Sequence, residues 1–126
     1  MRIPKIIATA SLAFVALTVS AQDKADLDFQ KMAQIQTYQV KQSVNGITPD
    51  QEKKILTIEQ SFTQAMQQAH ATSEGDRNAM HNQSVQLHND RDMRMKSILT
   101  ASQYAQYQKM EAANRSLAMQ KDGPVK

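Results

Sequence analysis

Two short stretches of this chain repeat one another: Ile47-Thr48-Pro49-Asp50-Gln51 and Leu99-Thr100-Ala101-Ser102-Gln103. Each reads as a capping box. The threonine hydroxyl is placed to accept from the backbone N–H at the third helical position, and the glutamine there can reach back to the threonine N–H. Pro49 suits the first position of a helix, and Leu99 and Tyr104 have the spacing of a hydrophobic staple. The pattern therefore predicts two helix starts, each behind an aliphatic residue and each opening an apolar stripe.

Glycine and proline mark where helices stop. Beyond residue 21 the glycines are Gly46, Gly75 and Gly123 and the prolines Pro49 and Pro124. No alternation of period two persists between them, which predicts an all-α chain of four helices. Helix 1 is expected over about 24–44, with Phe29, Met32 and Ile35 on its apolar stripe and Leu27, Tyr38 and Val40 near its edges. Asn45-Gly46 ends it. Helix 2 is expected from Pro49 to about Thr72, with Ile55, Ile58, Phe62, Ala65, Met66 and Ala69 at helical spacing. A turn at 73–76 leads to helix 3, about 77–98, whose sparse stripe is Met80, Leu87, Met95 and Ile98 with a weaker Val85. Helix 4 follows Thr100 to about Gln120, marked by Tyr104, Tyr107, Met110 and Leu117. Helices of this length with such narrow stripes make a thin core, and a second copy of the chain would complete it.

Residues 1–21 have the form of a secretory signal peptide. Arg2 and Lys5 precede an apolar run over 6–19, and Val19-Ser20-Ala21 offers small residues for cleavage before Gln22. Residues 22–121 then form one helical domain and 122–126 a frayed tail. The run is short for a membrane span and no second one follows, so no stable membrane insertion is expected after cleavage. Cysteine is absent, which excludes disulfides and a lipid-bearing cysteine. The formal charge of +3 includes Arg2 and Lys5; without them it falls to about +1, and no basic block remains to suggest a nucleic-acid partner. The 17 glutamines all follow position 21 and are spread through amphipathic patterns, which fits helices better than an aggregation-prone tract.

Chemistry-bearing patterns are few. No phosphate-binding loop, nucleophile elbow or His-Glu-x-x-His is present, and the carboxylates are scattered, so the chain reads as a non-enzyme without a cofactor. His81 and His88 stand two helical turns apart, ~10 Å, too far to hold one ion together. His88 and Asp92 have the one-turn spacing of a metal pair and are weak metal candidates, and copper binding by methionine thioethers ranks last among the readings of the methionines. Asp90-Arg91-Asp92, Arg94 and Lys96 read as a solvated charged face. The many methionines suit gap-filling in a thin core first, and an adaptable binding surface second.

Taken with the signal peptide and the lack of cysteine, the two motif copies carry a resemblance. The chain resembles the Spy/CpxP family of small periplasmic helical proteins, known for a repeated Leu-Thr-x-x-Gln motif. The likeness runs over about 32–110. Ile55 and Ile58 follow the first copy, Met95 to Leu99 lead into the second, and Ile47 stands where the family has leucine. Ile47, Thr48, Gln51, Leu99, Thr100 and Gln103 are the motif residues. The resemblance implies a bent, extended helical hairpin that dimerises into a cradle. It also implies periplasmic, ATP-independent holding of unfolded or stress-damaged proteins. Phe29, Met32, Ile58, Phe62 and Met66 are the expected client contacts. The alternatives are a metal-responsive (zinc or copper) sensor or buffer, and an envelope-stress regulatory adaptor, of the same fold.

Overall fold

A computed structural model describes the backbone of residues 21–121 and the side chains of 28–120; residues 1–20, where the signal peptide is expected, the side chains of 21–27, Leu27 included, and the tail at 122–126 lie outside the described residues. The described chain is all-helical: α1 (Ala21–Ser43), α2 (Pro49–Thr72), α3 (Arg77–Ile98) and α4 (Ala101–Lys121). Gly46 and Gly75 take positive φ, 71° and 77°, where the chain turns out of α1 and out of α2. Asp76 caps α3 by accepting from the N–H groups of Asn78 and Ala79 at 3.1 and 3.0 Å.

α2 is the central element, with α1 packed along it on one side and α3 on the other. Successive helices run back on each other. Lys41 of α1 pairs with Glu52 of α2, and Phe29 lies beside Gln60 and Gln67. α4 touches α1 and α3 mainly through its first half; residues 112–120 are exposed, with Arg115 among them reaching Asp92 of α3. The core gathers at the end where the motifs lie: Val40, Val44, Ile55, Ile58, Met95, Leu99 and Tyr107, with Ile47, Ile98, Tyr104 and Met110 packed against it. All four helices contribute to it.

The stripes of α2 and α3 fall close to expectation, with Ile55, Ile58, Phe62, Ala69 and Met95 buried and Met80, Leu87 and Ile98 half-buried. That of α1 does not. Ala33, Thr37, Val40 and Val44 face inward, while Met32, Ile35 and Tyr38 are 49%, 55% and 62% exposed. Small and β-branched residues let α1 lie close on α2, and the Thr37 hydroxyl is satisfied locally by the carbonyl of Ala33 at 2.8 Å. The larger side chains are left on the opposite side of the helix. On α4 the inward face ends near Glu111, and Leu117 is exposed as well.

Candidate functional site: a paired-amide joint and a buried arginine

Both capping boxes are formed. Thr48 Oγ1 accepts from Gln51 N at 3.1 Å, and Thr48 N donates to Gln51 Oε1 at 3.0 Å. In the second copy Gln103 N donates to Thr100 Oγ1 at 3.2 Å, and Thr100 N to Gln103 Oε1 at 3.0 Å. The fold then brings the two boxes together. Gln51 Nε2 donates to Gln103 Oε1 at 2.8 Å, and Gln103 Nε2 donates to Gln51 Oε1 at 3.2 Å.

The second N–H of each amide is also used. Gln51 Nε2 reaches the carbonyl of Ile98 at 3.1 Å, and Gln103 Nε2 reaches those of Asn45 and Gly46 at 3.2 Å. Each glutamine thus ties the start of its own helix to the other glutamine and to the end of the helix that precedes the other motif. Gln106 adds a further tie, accepting from Asn45 N at 2.7 Å. Only a side chain with both an acceptor and an N–H₂ group can fill this role, which is why glutamine and not glutamate completes the motif here. Ile47 and Leu99, the aliphatic residues preceding the threonines, pack into the core directly beneath.

A second polar cluster lies further along α2, α3 and α4. Arg91 is 4% exposed and Glu59 1%. The Arg91 guanidinium donates to Glu111 Oε2 at 2.7 Å and lies 3.9 Å from Glu59 Oε2 and 3.7 Å from Asp92 Oδ1. Its plane sits over the Phe62 ring, 4.3 Å from the centroid. Tyr107 donates its hydroxyl to Asp92 Oδ1 at 2.9 Å, and Arg115 faces Asp92 Oδ2 at 3.7 Å. His88 Nδ1 is 3.3 Å from Arg91 Nη2, a contact that requires a neutral ring with that nitrogen unprotonated.

The cluster is not evenly satisfied. Glu59 Oε2 and Arg91 Nε have no hydrogen-bond partner among the described residues. Burial pushes the Glu59 carboxyl up to about 7; Arg91 opposes the shift, and Glu111 and Asp92 add to it. Burial, with Arg91 and Arg115 nearby, holds His88 below its ordinary value. Burial, the Glu111 and Asp92 carboxylates, and the hydrogen bond to Asp92 hold the Tyr107 phenol up, against the pull of Arg91. Burial works against the charge on Arg91, but Tyr107, Glu111, Glu59 and Asp92 outweigh it and keep the guanidinium ionised.

This corrects the reading of Asp90-Arg91-Asp92 as a solvated face: Arg91 is interior. The signal was present in the spacing, since Leu87, Arg91, Met95 and Ile98 fall on one helical face and Arg91 interrupts an otherwise apolar row. Glu59 likewise interrupts Ile55, Ile58 and Phe62, and Glu111 stands one turn beyond Tyr107.

The weak metal candidates His88 and Asp92 have other partners. Asp92 is held by Tyr107 and Arg115, His88 faces Arg91, and the guanidinium is the cation these acids share. No group of three or more His, Cys, Asp or Glu side chains converges as a metal site among the described residues. Among the expected client contacts, Ile58 and Phe62 are buried on the α2 face with 9% and 8% exposure, Phe29 and Met66 are half-buried and Met32 is open. No helix among the described residues is long and apolar enough to cross a membrane. Compared with protein-family models, curated proteins and solved structures, the chain matches none of them.

Proposed function

We propose that this chain is a secreted, periplasmic protein of the Spy/CpxP type that holds unfolded or damaged proteins without nucleotide. The observation that carries the reading is the outer face of α1, where Met32, Ile35 and Tyr38 are exposed together on one side of a helix whose other side is the packing face. Apolar groups gathered on a surface mark an interaction site more often than a chance exposure, and methionine adapts to irregular partners. The paired amides support the reading by tying the ends of α1 and α3 to the starts of α2 and α4, which holds the exposed faces in a defined relation.

In this proposal the chain acts as a homodimer and not as an enzyme. The exposed second half of α4, with Leu117 and Met119, supplies apolar surface for the partner copy. Clients bind by many weak contacts on faces that remain partly polar, so they exchange quickly and can fold while held.

The test is light scattering of a denaturant-unfolded client diluted into buffer with and without the purified protein, alongside sedimentation at micromolar concentration. Suppression of scattering without nucleotide at near-stoichiometric ratios is expected, with a sedimenting mass of twice the monomer. Ile35→Ser with Tyr38→Ser, both on the outer face, should weaken suppression while leaving the thermal melt unchanged. No suppression at several-fold excess of folded protein rejects holding and leaves the single-partner adaptor as the reading to pursue.

A further inference from the structure

Toward the motif end of α2 and α3 lies an open cleft of about 380 Å³ that the joint, the arginine cluster and the outer face of α1 do not use. Its floor is Ile58 and Ile98, one from each helix. Its walls carry Lys53 and Lys54 on α2 and Arg94 on α3. None of these three cations stands in an ion pair among the described residues. Glu52, the acid beside Lys53, is taken by Lys41 at 3.0 Å, and Glu59, Asp92 and Glu111 gather around Arg91. Asp90, one turn before Arg94, lines the adjoining cleft, which Arg94 also borders, and forms no ion pair with it among the described residues.

Three like charges held around one apolar floor repel each other, and an anion between them relieves that repulsion. The guanidinium of Arg94 offers a two-pronged donor that matches a carboxylate. Size separates the occupants. A cleft of this volume lies in the range of small-ligand sites, about 300–1,000 Å³, and its few lining residues are far short of the roughly 800 Å² per partner that a stable protein interface buries. Beyond Ile58 a second, smaller cleft continues past Phe62, Ala65 and Leu87, with Asp90, Arg91 and Arg94 also lining it.

We propose that this cleft binds a free single-chain fatty-acid anion, its carboxylate between Lys53, Lys54 and Arg94 and its chain along Ile98 and Ile58. The site is independent of client holding and stands or falls without it.

The test uses the purified protein and dodecanoate below its micellar concentration, read by calorimetry and by methyl NMR shifts of the isoleucines. Saturable one-to-one binding is expected, with the largest shifts at Ile58 and Ile98. Dodecyl maltoside, with the same chain and no charge, should bind about tenfold more weakly or worse, the loss of a charge-assisted contact. Arg94→Gln and the double variant Lys53→Gln with Lys54→Gln should each weaken dodecanoate by a similar factor. All three positions are exposed and glutamine is a good helix former, so thermal melts should not move. Equal affinity for the uncharged amphiphile, unchanged affinity in both variants, or shifts confined to other isoleucines would each overturn the proposal. So would binding to phosphatidylglycerol vesicles with none to monomeric dodecanoate.

Discussion

The amide joint and the arginine cluster are both interior polar assemblies, separated by a few turns of α2, and their chemistry differs. In the joint every amide N–H and C=O of Gln51 and Gln103 has a partner between 2.8 and 3.2 Å, and no net charge is buried. In the cluster one arginine serves three carboxylates at 2.7, 3.7 and 3.9 Å, and two polar atoms remain without a partner. Neutral, saturated hydrogen bonding specifies a geometry at little cost in desolvation. A buried ion cluster is held by mutual dependence, so removing one member leaves the others uncompensated. The joint should therefore tolerate damage that the cluster does not.

The largest effect is expected at Arg91. Arg91→Met keeps much of the side-chain volume over Phe62 and removes the cation, leaving Glu59 and Glu111 facing each other inside the protein. A loss of about 3–5 kcal/mol is expected at neutral pH, measured by urea unfolding, with partial recovery at pH 5 as the carboxyls take up protons. A variant within about 1 kcal/mol of wild type would mean that the ion cluster is dispensable and that the contrast with the joint is false.

The second effect separates the members of the cluster. The folded-state value of Glu59, about 7, lies above the ordinary 4.5. In that interval the folded state holds a proton that the unfolded state has released. Stability from this group is therefore fully present below about pH 4.5, declines as pH rises through 7, and is flat above. The displacement corresponds to roughly 3 kcal/mol across the window. Glu59→Gln should abolish that decline, so that its unfolding free energy changes less than that of wild type between pH 5 and pH 8. A wild-type curve that rises over this window would place Glu59 among ordinary paired carboxylates.

These two assemblies were also unequally legible in the sequence. The capping boxes are local: threonine and glutamine three residues apart at a helix start carry their own geometry, and the starts of α2 and α4 at Pro49 and Ala101 follow from it. That Gln51 and Gln103 also bond each other is a property of the packed fold, invisible to either copy alone. The cluster joins Glu59, Arg91 and Glu111 from three helices, and each taken singly looks like one more surface charge. Its trace is that each sits in an apolar row. The phase of α1 is hidden in the sequence for a related reason. Side-chain size pointed to Met32 and Ile35, whereas close approach to α2 favoured the smaller row Ala33, Thr37 and Val40. The client candidates Ile58 and Phe62 belong to the face that packing claimed.

A smaller effect is expected inside the joint. Gln103→Glu keeps the acceptor for Thr100 N and loses the donor to Asn45 and Gly46, placing a carboxylate against two carbonyls and the Gln51 amide. A cost of about 1–3 kcal/mol is expected. Gln51→Ala combined with Gln103→Ala should cost measurably less than the sum of the two single changes, with a coupling on the order of 1 kcal/mol. Strict additivity in that cycle would show that the two motifs cap their helices independently and that the amide pair adds nothing.

The smallest effects belong to the threonines, and they test whether the two boxes are equivalent. Thr48→Ala and Thr100→Ala each remove one N-cap acceptor, a change of about 1 kcal/mol. Both leave the glutamine side chain free to accept from the residue's own N–H, so neither should disturb the amide pair. The surroundings differ, however. Pro49 fixes the first turn of α2 and a five-residue connection precedes it, whereas α4 follows α3 after only Leu99 and Thr100, without a proline. A helix start restricted by proline has less conformational freedom to recover when its cap is lost. Thermal melts should therefore show Thr100→Ala as the more costly of the two. The reverse order would place the dominant constraint at the α1–α2 connection, and two melts superimposable on wild type would show that the hydroxyls add nothing beyond what the paired amides already hold.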